Sequence, residues 1–171
     1  NRNGIGVAKD LTRAATLYGK ACSPKEPISC FNLGLMHYNG EGMPKDHARA
    51  AALFTIACDA GNAQACHELA GRISLGEGVP KDDAKASTLY QKACAADYAL
   101  SCVRLGARYY LGTGLPVDRS KAVGLYEKAC AGNEATGCYL LALMLADGDG
   151  VVTDKTRAAT LFAKACEGGE K

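Results

Sequence analysis

The sequence predicts an all-α fold, an α-solenoid of 36-residue helix–turn–helix repeats stapled by disulfides, and three observations carry that expectation. Glycine, aspartate, alanine, leucine and aromatic residues return every 36 positions without insertion or deletion. Cysteines return on the same period, in pairs spaced C-x7-C. The apolar residues between the glycines follow helical rather than strand spacing.

Cut from Gly4, the blocks span residues 4–39, 40–75, 76–111, 112–147 and 148–171, and they read as one array over residues 1–171 with incomplete first and last units. Each block opens on a G-x-G turn, at Gly4/Gly6, Gly40/Gly42, Gly76/Gly78, Gly112/Gly114 and Gly148/Gly150, where glycine permits positive φ. Asp10, Asp46, Asp82, Asp118 and Asp154 follow as N-caps, each carboxylate placed to accept from an orphan backbone N–H. They start a helix, B, whose apolar stripe recurs at i, i+3, i+4 and i+7, as in Ala50, Leu53, Phe54 and Ala57. Gly61, Gly132 and Gly168 are expected just past its C-terminus. The next helix, A, opens near Cys30, Cys66, Cys102 and Cys138 and carries Leu33, Leu69, Leu105 and Leu141. Gly34, Ala70, Gly106 or Ala142 follows each leucine, and a small residue there lets a neighbouring helix come close; glycine costs roughly 1 kcal/mol of helix propensity, which packing must offset. Two helices cannot bury both stripes alone, so the hairpins are expected to stack into a superhelix.

Composition narrows the classes. A hydrophobic share of 48% excludes a disordered chain, and 6% aromatics with no tryptophan require small residues to pack closely. The 20 basic and 18 acidic residues leave a formal charge of +2, too balanced for a nucleic-acid binder. No apolar run is long enough to cross a bilayer. No signal peptide, initiator Met or polar capping unit is visible, and both ends read as cut from a longer array.

Cys22, Cys58, Cys94, Cys130 and Cys166 fall at the end of helix B, and Cys30, Cys66, Cys102 and Cys138 at the start of the following helix A. A tight antiparallel turn brings those positions side by side, near the ~5.5–6 Å Cα separation of a disulfide. Each bridge would close a loop of about nine residues, worth roughly 2.5 kcal/mol in the chain-entropy model. Reduced cysteine packed as a small hydrophobe is the competing reading. A zinc site fits poorly, because short C-x2–4-C spacings are absent and the histidines do not cluster. Paired cysteines imply an oxidising compartment: periplasm, cell exterior or the mitochondrial intermembrane space. Cys166 stands alone as a free thiol, since the period that follows Cys138 puts its mate at position 174.

These columns resemble the Sel-one-like repeat family, a cousin of the tetratricopeptide repeats, through G-x-G-[VM]-x-x-D, A-x-x-[LF]-[YF]-x-x-A and L-[GA]-x-x-[YL], a match that covers all 171 residues with departures at Leu115, His37 and Ile73. The C-x7-C pairs resemble the cysteine-rich branch first recognised in Helicobacter secreted proteins. The resemblance implies an adaptor or scaffold, periplasmic or secreted, with a protein or peptide partner. Its alternative implication is penicillin binding or weak β-lactamase activity, and a third is a mitochondrial assembly factor.

Motifs argue against catalysis. S-x-x-K, S-D-N, K-T-G and G-x-S-x-G are all missing, and His67-Glu68 begins an H-E-x-x-H whose last position is Gly71. No metal or other cofactor is expected. Binding is assigned instead to a stripe of helix A that varies between blocks, at i, i+4 and i+7. It comprises Asn32, Met36 and Asn39; Glu68, Arg72 and Leu75; Arg104, Arg108 and Leu111; and Leu140, Met144 and Asp147. Helix A generally lines the concave groove of stacked hairpins, and the competing reading is a plain solvated face. Arg72, Arg104 and Arg108 offer a basic patch for a carboxylate or an acidic segment, with Tyr109, Tyr110 and Tyr139 nearby in sequence as an aromatic wall.

Overall fold

The computed structural model describes residues 10–169. Among them lie nine helices and no strand: α1 (Leu11–Ala21), α2 (Pro27–Asn39), α3 (His47–Asp59), α4 (Ala63–Leu75), α5 (Asp83–Ala95), α6 (Ala99–Leu111), α7 (Arg119–Ala131), α8 (Ala135–Asp147) and α9 (Lys155–Gly169). Odd-numbered helices are the B helices and even-numbered ones the A helices. The chain divides into two compact units, residues 1–82 with α1–α4 and residues 83–171 with α5–α9. Within each, every helix packs on the next, and in the second unit α6 also touches α8.

Local chemistry explains the boundaries. Asp10, Asp46, Asp118 and Asp154 accept from the backbone N–H three residues on, at 2.8–2.9 Å, which stabilises each helix by about 1 kcal/mol. The A helices end on Gly40, Gly76, Gly112 and Gly148, all left-handed with φ of 72–75°. The second glycine of each turn has a further cause that the sequence does not reveal. A Cβ on Gly42 would lie 2.5 Å from the carbonyl carbon of Leu11, so the turn after an A helix rests directly on the start of the preceding B helix.

The end of helix B differs from expectation. Gly61 does adopt a left-handed φ of 93°, but its equivalents one and two periods on are Asp97 and Asn133, with φ of 59° and 60°. Both residue types tolerate that conformation because a short polar side chain can bond locally. Gly132 sits one place earlier with φ −78°, and Gly168 lies inside α9. Gly132 is small for another reason, since a Cβ there would come 2.9 Å from Ala99 Cβ. Helix A also opens three residues ahead of its cysteine, at Pro27, Ala63, Ala99 and Ala135.

Small residues and cysteines make the core. Ala50, Ala57, Ala86, Ala93, Ala122 and Ala129 are fully buried. The ring of Phe54 fills the space over Gly34, where a Cβ would be 2.7 Å from Cε1, and Tyr126 does the same over Gly106 at 2.6 Å. Four disulfides staple the turns from helix B to helix A: Cys22–Cys30, Cys58–Cys66, Cys94–Cys102 and Cys130–Cys138, with Cα separations of 4.5–4.8 Å. Cys166 is free and exposed on α9. Alkylation of the unreduced, denatured protein is therefore expected to add one label per chain, at Cys166. Nine labels by intact mass would contradict the pairing.

Candidate functional site

The A-helix stripe separates by depth. Its i+4 column points inward: Met36 is 0% exposed, Arg108 7% and Met144 5%, with Arg72 half-buried. Its i+7 column, Asn39, Leu75, Leu111 and Asp147, faces solvent. Asn32, Glu68 and Leu140 are half-buried and Arg104 is exposed. Met36, Arg108 and Met144 therefore do not join an exposed trio as the spacing suggests, because the third turn of helix A presses on the neighbouring B helix.

The two arginines of that column are held from within. Arg72 donates to Glu77 Oε2 at 2.8 Å and Glu68 Oε2 at 3.0 Å, and its guanidinium lies 4.0 Å from the centre of the Tyr38 ring. Tyr38 in turn stacks on His47 and donates to Glu77 at 3.2 Å. Arg108 donates to Asp83 O at 3.0 Å, Asp83 Oδ1 at 3.2 Å, Ser87 Oγ at 3.3 Å and Thr113 O at 3.3 Å. Apolar stems of arginine fill the place that methionine takes in the other repeats, while the heads find acceptors. Glu77 and Thr113 both occupy the middle of a G-x-G turn, so that turn supplies the acceptor for the arginine one turn back. The basic patch expected from Arg72, Arg104 and Arg108 thus reduces to Arg104 as its exposed member.

In the second unit one part of the stripe closes into a cavity of about 230 Å³, lined by Tyr110, Tyr126, Leu140, Leu143, Met144, Asp147 and Asp149. Buried Tyr126 and Met144 form its floor, and Tyr110, Leu140 and Leu143 its less buried walls. Burial pushes the Tyr126 phenol up to about 12, helped by Tyr110. Asp147 and Asp149 stand at the rim, and Asp149 pairs with Arg119 at 2.8 Å.

Leu140, Met144 and Asp147 were legible in the sequence as one helical face. Tyr126, Leu143 and Asp149 were not, since they come from another helix, another column and the following turn. Of the tyrosines, Tyr110 reaches the cavity, Tyr109 lies under Lys121, and Tyr139 packs edge-on against Phe162. Ser87 and Ser120 donate their hydroxyls to the Asp83 and Gly150 carbonyls. Among the described residues no cluster of His, Cys, Asp and Glu could hold a metal ion. None of the described helices is long and apolar enough to cross a membrane.

The family profile described as Sel1 repeat matches residues 1–23, 27–62, 63–98, 99–134 and 135–170. No curated protein matches the chain. Among solved structures, it is similar to a protective antigen of uropathogenic Escherichia coli with an SLR fold, at 30% identity and TM-score 0.94 over 99% of this chain. It spans only 36% of that protein's length. A Sel1 repeat protein from Oxalobacter formigenes is similar at 30% identity and TM-score 0.92, covering 99% of this chain and 69% of its own. Helicobacter pylori cysteine rich protein B is similar at 30% identity and TM-score 0.63, covering 78% and 96% respectively. The four later profile matches begin at residues 27, 63, 99 and 135, where α2, α4, α6 and α8 begin, so profile and structure divide the chain at the same places. With its repeats matched over nearly the whole length, the chain belongs to the Sel1 repeat family.

Proposed function

We propose that this chain is a protein-interaction module of an oxidising compartment, periplasmic or extracellular, which takes a peptide or protein partner on the exposed face of its A helices. Sel1 repeat proteins are in general protein-interaction scaffolds. The observation that carries the assignment to a face is the α6–α8 cavity, where the variable stripe meets an apolar pocket with a polar rim, the usual form of a binding site. Leu111 supports it, being 69% exposed in the last turn of α6, and exposed leucine next to variable polar residues suits a partner surface. Four disulfides, together with the similarity to the Helicobacter cysteine rich protein, support the compartment.

The test is a peptide-display selection on the oxidised protein, followed by affinity measurement against Arg104→Ala, Leu111→Ser and Leu143→Ser. Arg108→Ala is unsuitable, because that residue holds structure. Selected peptides are expected to lose about tenfold or more in affinity for at least one variant. Equal affinity for all three would place binding elsewhere and overturn the assignment to this face.

A further inference from the structure

The cavity at α8 has two carboxylates at its rim, of which one is paired with a cation. In α4 and α6 the last turn carries a cation, Arg72 or Arg108, beside the negative end of the helix dipole. The last turn of α8 carries none and ends instead on Asp147, a carboxylate where helix electrostatics disfavours one. Position 147 corresponds to Asn39, Leu75 and Leu111, all uncharged. Asp149 is engaged by Arg119, whose guanidinium also lies 5.5 Å from the centre of the Tyr110 ring. Among the described residues Asp147 has no ion-pair or hydrogen-bond partner. The apolar hollow below it is walled by a tyrosine and two leucines and floored by a tyrosine and a methionine.

An alkyl chain ending in a cation matches this arrangement at both ends. Its methylenes would fill the hollow, and its charge would sit between the Tyr110 ring and the Asp147 carboxylate, supplying the cation that α8 lacks. We propose that the α6–α8 cavity anchors a lysine or arginine side chain of the partner. This rests on the interaction-module reading and adds the chemistry of the residue that is recognised.

The probes are n-butylammonium and n-propylguanidinium, with n-butanol and butyrate as the neutral and anionic controls of similar size. Each is titrated into the oxidised protein while the methyl resonances of Leu140, Leu143 and Met144 are followed by NMR. Both cations are expected to give saturable shifts at these methyls, with a dissociation constant on the order of 1 mM, and butyrate none. Asp147→Asn should weaken the cations roughly fivefold and leave n-butanol unchanged. Asp147 is exposed at a negative helix end, so this variant should melt no lower than the parent. Equal binding of n-butanol and the cations, no saturable shift, or cation binding indifferent to Asp147→Asn would each overturn the proposal. A selected peptide that binds the A-helix face without a basic residue would also overturn it, yet leave the interaction module standing. Cation binding in the cavity with no partner bound on that face would sink the module and spare the pocket chemistry.

Discussion

Reduction of the four disulfides is expected to unfold most of the protein at 37 °C. Each bridge closes a loop of about nine residues and removes roughly 2.5 kcal/mol of conformational freedom from the unfolded chain. The loops do not overlap, since each lies within one turn, so the four contributions add to about 10 kcal/mol. A domain of this size has a total stability of only about 5–15 kcal/mol. Its core is rich in alanine, with few large side chains, and leaves little reserve. Far-ultraviolet circular dichroism with and without a phosphine reductant checks this. A melting temperature within a few degrees of the oxidised value would mean that helix packing alone suffices. The argument for an oxidising compartment would lose its energetic basis. Replacing Cys94 and Cys102 together by alanine isolates one staple, with an expected loss of about 2.5 kcal/mol.

Arg108→Ala is expected to cost about 3 kcal/mol, and Arg108→Met about half as much. Alanine leaves a void and strips Asp83, Ser87 and Thr113 of their shared donor, and removal of one member of a buried pair costs about 3–5 kcal/mol. The Asp83 side chain is 27% exposed, so water partly replaces the lost contact and the lower end of that range applies. Methionine refills the volume, as Met36 and Met144 do in the same column of other repeats, so it recovers the part of the loss due to the void while leaving the same acceptors without their donor. Urea denaturation of the three proteins measures the order. Equal losses for both variants would show that the charge network dominates, and no loss in either would show that it contributes nothing.

Features decided within a few residues of chain were legible in advance. An N-cap acts over three residues, a C-x7-C staple over eight, and an apolar stripe over two helical turns, so repetition at a fixed period displayed each of them several times. The fold class, the capping aspartates, the left-handed glycines after helix A and all four cysteine pairs follow from such short-range chemistry. Depth along helix A does not. Met36 and Arg72 looked alike only in being variable, and whether a variable position faces water depends on which B helix leans on it. Arg108 looked like surface charge because its partners at Asp83 and Ser87 lie more than twenty residues away, on another helix.

The amino-acid sequence alone thus determined the helices, their caps and their staples, because each of those interactions closes within one hairpin, and the fixed period repeated them. Only the tertiary structure decided which stripe residues are free to meet a partner and where a cavity opens. Tyr110, Tyr126, Leu140 and Asp149 belong to three helices and a turn. What brings them to one hollow is the packing of those helices, which no local pattern encodes.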